Sequence, residues 1–64
     1  MVKLKVKDMM CEHCVNKIDN ALKVENIKHE INLEDKIVSV DVDNMQLLEV
    51  LEKLEKLGYS AERA

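Results

Sequence analysis

The stretch "VKLKVKDMMCEHCVNKIDNALK", Val2 to Lys23, changes its apolar period within one short loop. Val2, Leu4 and Val6 fall on one side and Lys3, Lys5 and Lys7 on the other, the alternation of a half-buried strand. From about Glu12 to Lys23 the apolar positions Val15, Ile18, Ala21 and Leu22 recur along a helical stripe instead. A strand that leads through a loop into a helix is the first half of a β-α-β unit. The loop holds the chain's two cysteines, Cys11 and Cys14.

The rest of the chain repeats the order. Ile27, His29, Ile31 and Leu33 alternate again and run into the turn-like "EDK" of Glu34 to Lys36. Val38, Val40 and Val42 form a third alternating run. Asn44 is the expected N-cap of a second helix, which carries Leu47, Leu48, Val50, Leu51, Leu54 and Leu57. Gly58 suits the position just past its end, where a left-handed residue is favoured. Tyr59 to Arg63 is long enough for one last strand. The pattern β-α-β-β-α-β predicts an α+β fold: a four-stranded antiparallel sheet with both helices on one face, the split β-α-β or ferredoxin-like arrangement. The open face is expected to set Lys3, Lys5 and Lys7 beside Ser39, Asp41 and Asp43, with opposite charges on neighbouring strands mildly favourable.

With 64 residues, the expectation is a single domain spanning 1–64, near the lower size limit for a self-sufficient core. That core is aliphatic: there is one tyrosine and no phenylalanine, tryptophan or proline. A net charge of -3 and the lack of stacking aromatics argue against nucleic acid. "MVKLKVKD" has no continuous apolar segment of the kind a signal peptide carries, and no stretch is long enough to span a membrane. A cytoplasmic protein is expected, without membrane insertion, and in that compartment thiols stay reduced. No Ser/His/Asp set, glycine-rich phosphate loop or close carboxylate pair supports an enzyme.

Cys11 is expected in the loop and Cys14 in the first helical turn. Free amide N–H groups and the helix dipole stabilise negative charge there, so the Cys14 thiol should ionise more readily than usual. Such a pair suits either a soft cation or thiol exchange. Structural zinc fits badly, because it takes four ligands and only His13, His29 or carboxylates could complete the set. His29 reads as a partly buried strand residue. His13, between the cysteines, should point away from their shared focus. Two thiolates suit Cu(I), a soft monovalent ion that is satisfied with two of them. Met9 reads as a buried gap-filler and Met10 as exposed. Lys17 and Lys23 read as solvated.

The order strand, Met9, x, Cys11, x, x, Cys14, helix, with the six-element pattern and "LGYSAE" near the C-terminus, resembles the heavy-metal-associated domain. The likeness covers essentially the whole chain. Within that family it is most similar to bacterial cytosolic copper chaperones, and next to the N-terminal metal-binding domains of copper-transporting P-type ATPases. The resemblance implies that Cys11 and Cys14 are Cu(I) ligands and that Met9 anchors the loop without ligating. It also implies that His13 lies near the metal and that Tyr59 stands beside the site. The usual motif is Gly-Met-x-Cys-x-x-Cys. Here Asp8 replaces the glycine and brings a carboxylate near the metal, and Met10 stands where Ser, Thr or His is commoner. The glycine usual before the second strand is absent, with Asn26 its nearest left-handed-tolerant substitute.

The expected function is a metallochaperone that binds Cu(I) and passes it to a metal-binding domain of a copper-transporting P-type ATPase or to a copper-responsive regulator. The protein is expected as a monomer, or as a copper-bridged dimer. The alternatives are a detached sensing or metal-binding domain for Cu, Ag, Hg or Zn, and a thiol–disulfide redox protein. The missing proline and the short chain count against the last, since thioredoxin-like enzymes use a cis-proline.

Overall fold

The first strand, β1 (Val2–Val6), occupies an interior place in the sheet, where its buried Leu4 and Val6 meet side chains from both helices. The computed structural model describes residues 1–64 and gives the order β1, α1 (Glu12–Val24), β2 (His29–Asn32), β3 (Ile37–Val40), α2 (Asn44–Lys56) and β4 (Ala61–Arg63). The four strands form one antiparallel sheet in the spatial order β2-β3-β1-β4. Helix α1 leans toward β2 and α2 toward β4, both on the same face, as the split β-α-β pattern requires.

Between sheet and helices lie Leu4, Val6, Val38 and Val40 from the strands, Ile18 and Leu22 from α1, and Leu47, Val50 and Leu54 from α2, with Met9 and Tyr59 closing one end. No polar side chain is buried among them, so the core carries no desolvation cost of that kind. Each large aliphatic side chain buried this way stabilises the fold by roughly 1.5–3 kcal/mol. Leu48 and Leu57 of the expected helical stripe instead face outward.

Both helices end in the same way. After α1, Asn26 takes the left-handed conformation (φ 56°), its N–H donates to the Lys23 carbonyl, and the Ile27 N–H donates to that of Leu22. After α2, Gly58 (φ 95°) donates to Glu55 and Tyr59 to Leu54. This is the two-bond Schellman closure, with an apolar residue folded back onto the last turn each time. The asparagine does for α1 what the glycine does for α2. The closure also explains why β4 starts at Ala61 and not at Tyr59: the Tyr59 amide is held by the helix and its ring is buried.

Three expectations change. Asn44 is the first helical residue, and the N-cap is Asp43. Its carboxylate accepts from the Gln46 N–H at 2.8 Å while the Gln46 side chain accepts from the Asp43 N–H, a capping box that Asn44 cannot make. Strands β2 and β3 are shorter than their alternating runs: Ile27 closes α1, and Val42 lies beyond the ladder. Finally, the register sets Lys3 opposite Ser39 and Lys5 opposite Ile37, so Asp41 and Asp43 lie past the paired strands. Lys7 lies past the end of β1. Lys5 finds its counter-charge on the other side, opposite Glu62 of β4, and its ammonium donates to the Asp35 carbonyl at 2.7 Å.

Candidate metal centre

The loop from β1 to α1 is pinned at Met9. A turn closes behind it, the Met9 N–H donating to the Val6 carbonyl at 3.2 Å, and the Met9 side chain is fully buried. Met10, the next residue, is 73% exposed. The expectations for both methionines therefore agree with the structure. With Met9 held, Cys11 becomes the N-cap of α1 in extended conformation, and its carbonyl accepts the first helical bond, from the Val15 N–H.

A cysteine at this position has no side-chain oxygen with which to satisfy the free amides of the first turn, and none is capped by a side chain. Cys11 Sγ and Cys14 Sγ stand 3.6 Å apart, Cys11 exposed and Cys14 half-buried against the core. The Cys14 thiol is lowered from its ordinary value of 9.0 to about 7. The largest cause is the Tyr59 hydroxyl acting as a donor toward its sulfur, followed by the backbone of Met10 and the Cys11 side chain; desolvation opposes them. The Tyr59 phenol is raised in turn, first by Cys14, then by its own burial, with smaller contributions from Cys11 and Asp8. The packing expected of Tyr59 is present, its ring buried at the end of the core.

Asp8 lies in the turn before Met9, outside the left-handed region, so this position does not require glycine. Its carboxylate accepts from the Ser60 N–H at 3.4 Å. His13 is exposed, and no third His, Cys, Asp or Glu joins the two cysteines in a ligand group. A closed four-ligand zinc site within one chain is therefore absent. His29 is far from the site and fully engaged: Nε2 meets the Asp19 carboxylate at 2.5 Å, and Nδ1 meets the Ile27 carbonyl at 2.8 Å. Its strand position was legible, but its partner on α1 was not. The largest surface hollow lies on the open sheet face among Lys3, Glu30, Asn32 and Ser39, and includes neither cysteine.

A dithiol at a helix N-terminus, one member lowered to about 7, has the donor atoms and charge that suit a soft metal ion or thiol exchange. The family model of the heavy-metal-associated domain matches residues 3–60. The chain belongs to that family. Like other members it is similar to metal carriers and to transporter domains. It is 36% identical over 61 residues to the copper chaperone CopZ of Enterococcus hirae, covering 89% of this chain and 88% of that one. The heavy metal binding protein TM0320 from Thermotoga maritima superposes with a TM-score of 0.81 at 36% identity, over 97% of this chain and 92% of that one. The N-terminal domain of ZntA, solved in its Zn(II) form, gives 0.81 at 28% identity, over 97% and 88%. These relatives are metal chaperones or metal-binding domains, and this chain is of that kind. No helix is long and apolar enough to cross a membrane.

Proposed function

We propose that this chain is a single-domain metallochaperone for Cu(I), residues 1–64, with Cys11 and Cys14 as its two ligands and no enzymatic activity. The observation that carries the reading is the pair of sulfurs 3.6 Å apart with no third ligand beside them. Two soft thiolates satisfy a monovalent soft ion and leave a divalent borderline ion under-coordinated. The likeness to a copper chaperone over 89% of the chain supports the same metal.

Transfer follows from the asymmetry of the pair. Cys11, exposed, is the thiol that an incoming ligand reaches first, while Cys14 is held between the core and Tyr59. A partner thiolate can join the ion before either bond to this chain breaks, so copper passes without release to water. The partner is a domain of similar fold, the metal-binding domain of a copper-transporting ATPase or a copper-responsive regulator, in the cytoplasm. His13 and Met10, both exposed beside the cysteines, would border that contact.

The test is an anaerobic titration of the reduced protein with Cu(I) against a chromophoric chelator, with Zn(II) run in parallel. One Cu(I) per chain, taken from a strong chelator, with weak Zn(II) binding, is the expected result. Cys11→Ser and Cys14→Ser should each lose tight binding and keep the fold. The likeness to the ZntA domain favours a second reading, a divalent-metal domain. Zinc binding at least as tight as copper would establish that reading and remove the first.

A further inference from the structure

We propose that Asp8 is a positioning residue: its carboxylate straps the loop after α2 to the loop before α1 through the Ser60 N–H, and so fixes the peptide that carries Tyr59 beside the cysteine loop. The inference rests on the copper reading for its functional arm and on the metal-free structure for its geometric one.

Two segments meet at the cysteines, and they belong to opposite ends of the chain. The first, Lys7 to Cys11, is anchored by buried Met9. The second, Gly58 to Ser60, is anchored on the α2 side by the bonds from Gly58 and Tyr59 into the last helical turn. Between Tyr59 and the start of β4 at Ala61, nothing in the sheet ladder holds it. The one hydrogen bond that joins the two segments directly is from the Ser60 N–H to the Asp8 carboxylate. Ser60 follows Tyr59 immediately, so fixing its amide fixes the peptide that sets where the phenol emerges. Glycine, the common residue of the family motif, has no side chain to make it. The turn at Asp8 needs no left-handed residue, so the backbone accepts aspartate without strain.

The carboxylate also adds negative charge beside a site that is negative when both thiols ionise. That is a separate route by which Asp8 could affect metal binding, and the experiment must separate the two. Asp8→Asn keeps an acceptor oxygen and removes the charge; Asp8→Ala removes both. Each is made alone and in a Tyr59→Phe background.

In the metal-free reduced protein, Asp8→Ala should speed hydrogen exchange of the Ser60 amide by about threefold to tenfold, the range for loss of one exposed hydrogen bond. It should also weaken the nuclear Overhauser contact between the Tyr59 ring and the Cys14 β-protons. Asp8→Asn should restore both. In the Cu(I)-loaded protein, Asp8→Ala should change the rate of copper release to a chelator, Asp8→Asn should not, and the effect should vanish in the Tyr59→Phe background. If Asp8→Asn behaves like Asp8→Ala, or if the copper effect persists without the Tyr59 hydroxyl, the carboxylate acts by its own charge and the strap is wrong. Unchanged Ser60 exchange in Asp8→Ala overturns it as well. A protein that fails to bind copper but shows the metal-free pattern loses the copper reading and keeps the strap.

Discussion

The Tyr59 phenol and the Cys14 sulfur move each other's proton equilibria in opposite directions: the thiol falls to about 7 and the phenol is raised. The donor and the developing thiolate are the largest single cause of each shift. The ring stays buried, so packing limits how far the phenol can move.

Tyr59→Phe should keep the fold, because the ring and its packing remain. It should move the Cys14 thiol from about 7 back toward 9.0. Between those values the parent is mostly thiolate and the variant mostly thiol, so alkylation rates differ most there. The check is the pH profile of Cys14 alkylation in the metal-free reduced protein with Cys11 retained, with and without the hydroxyl, the two cysteines resolved by peptide mapping. Coincident profiles would remove Tyr59 from the site.

Met9 and Met10 are adjacent and should behave as opposites. Met9→Ala empties a fully buried position and should cost roughly 2–5 kcal/mol of stability. Met10→Ala, at an exposed position, should stay within about 0.5 kcal/mol. Urea denaturation of the reduced protein measures both. A costly Met10→Ala would mean that the loop packs differently.

The capping box makes Asp43 matter more than Asn44. Asp43→Ala removes the acceptor for the Gln46 N–H and should cost about 1 kcal/mol. Asn44→Ala, at the first helical position, should cost less than about 0.5 kcal/mol. Thermal melts of the two variants decide which residue starts α2.

Asp19 ties α1 to β2. Its carboxyl is held below the ordinary 3.8, first by the His29 ring and then by Lys23 at 3.0 Å. A carboxyl lowered in the folded state adds stability at pH above its unfolded value, and that addition is lost as pH falls through the folded one. The difference in urea midpoint between the parent and Asp19→Asn should therefore be constant near neutral pH. It should begin to narrow below about pH 5 and shrink further as pH falls past 3.8. A gap that stays constant into strong acid would show that the carboxylate charge is not involved.

The six-element order and the place of the cysteines were legible because they rest on local signals: an alternation of two, a helical stripe, a glycine at a helix end. Asn26 was readable as a glycine substitute for the same reason. The failures came where a neighbour competes. Asp43 outbids Asn44 as cap only because Gln46 lies three residues on and can reciprocate. The pairing of Lys5 with Glu62, and not with an aspartate of the third run, depends on antiparallel register, which is set by the whole sheet. The contacts of Asp8 with Ser60 and of Asp19 with His29 join residues brought together only by folding. No periodicity announces them.

Met9 carries a last consequence. The side chain that fills the end of the core is also the nail of the cysteine loop, so the loop cannot swing far from the sheet without drawing a buried residue into water. Opening of the site and opening of the core then belong to one cooperative unit, so Met9→Ala should loosen the cysteine loop and the end of the core together. In this chain the cysteine loop is tied to the core through one buried side chain.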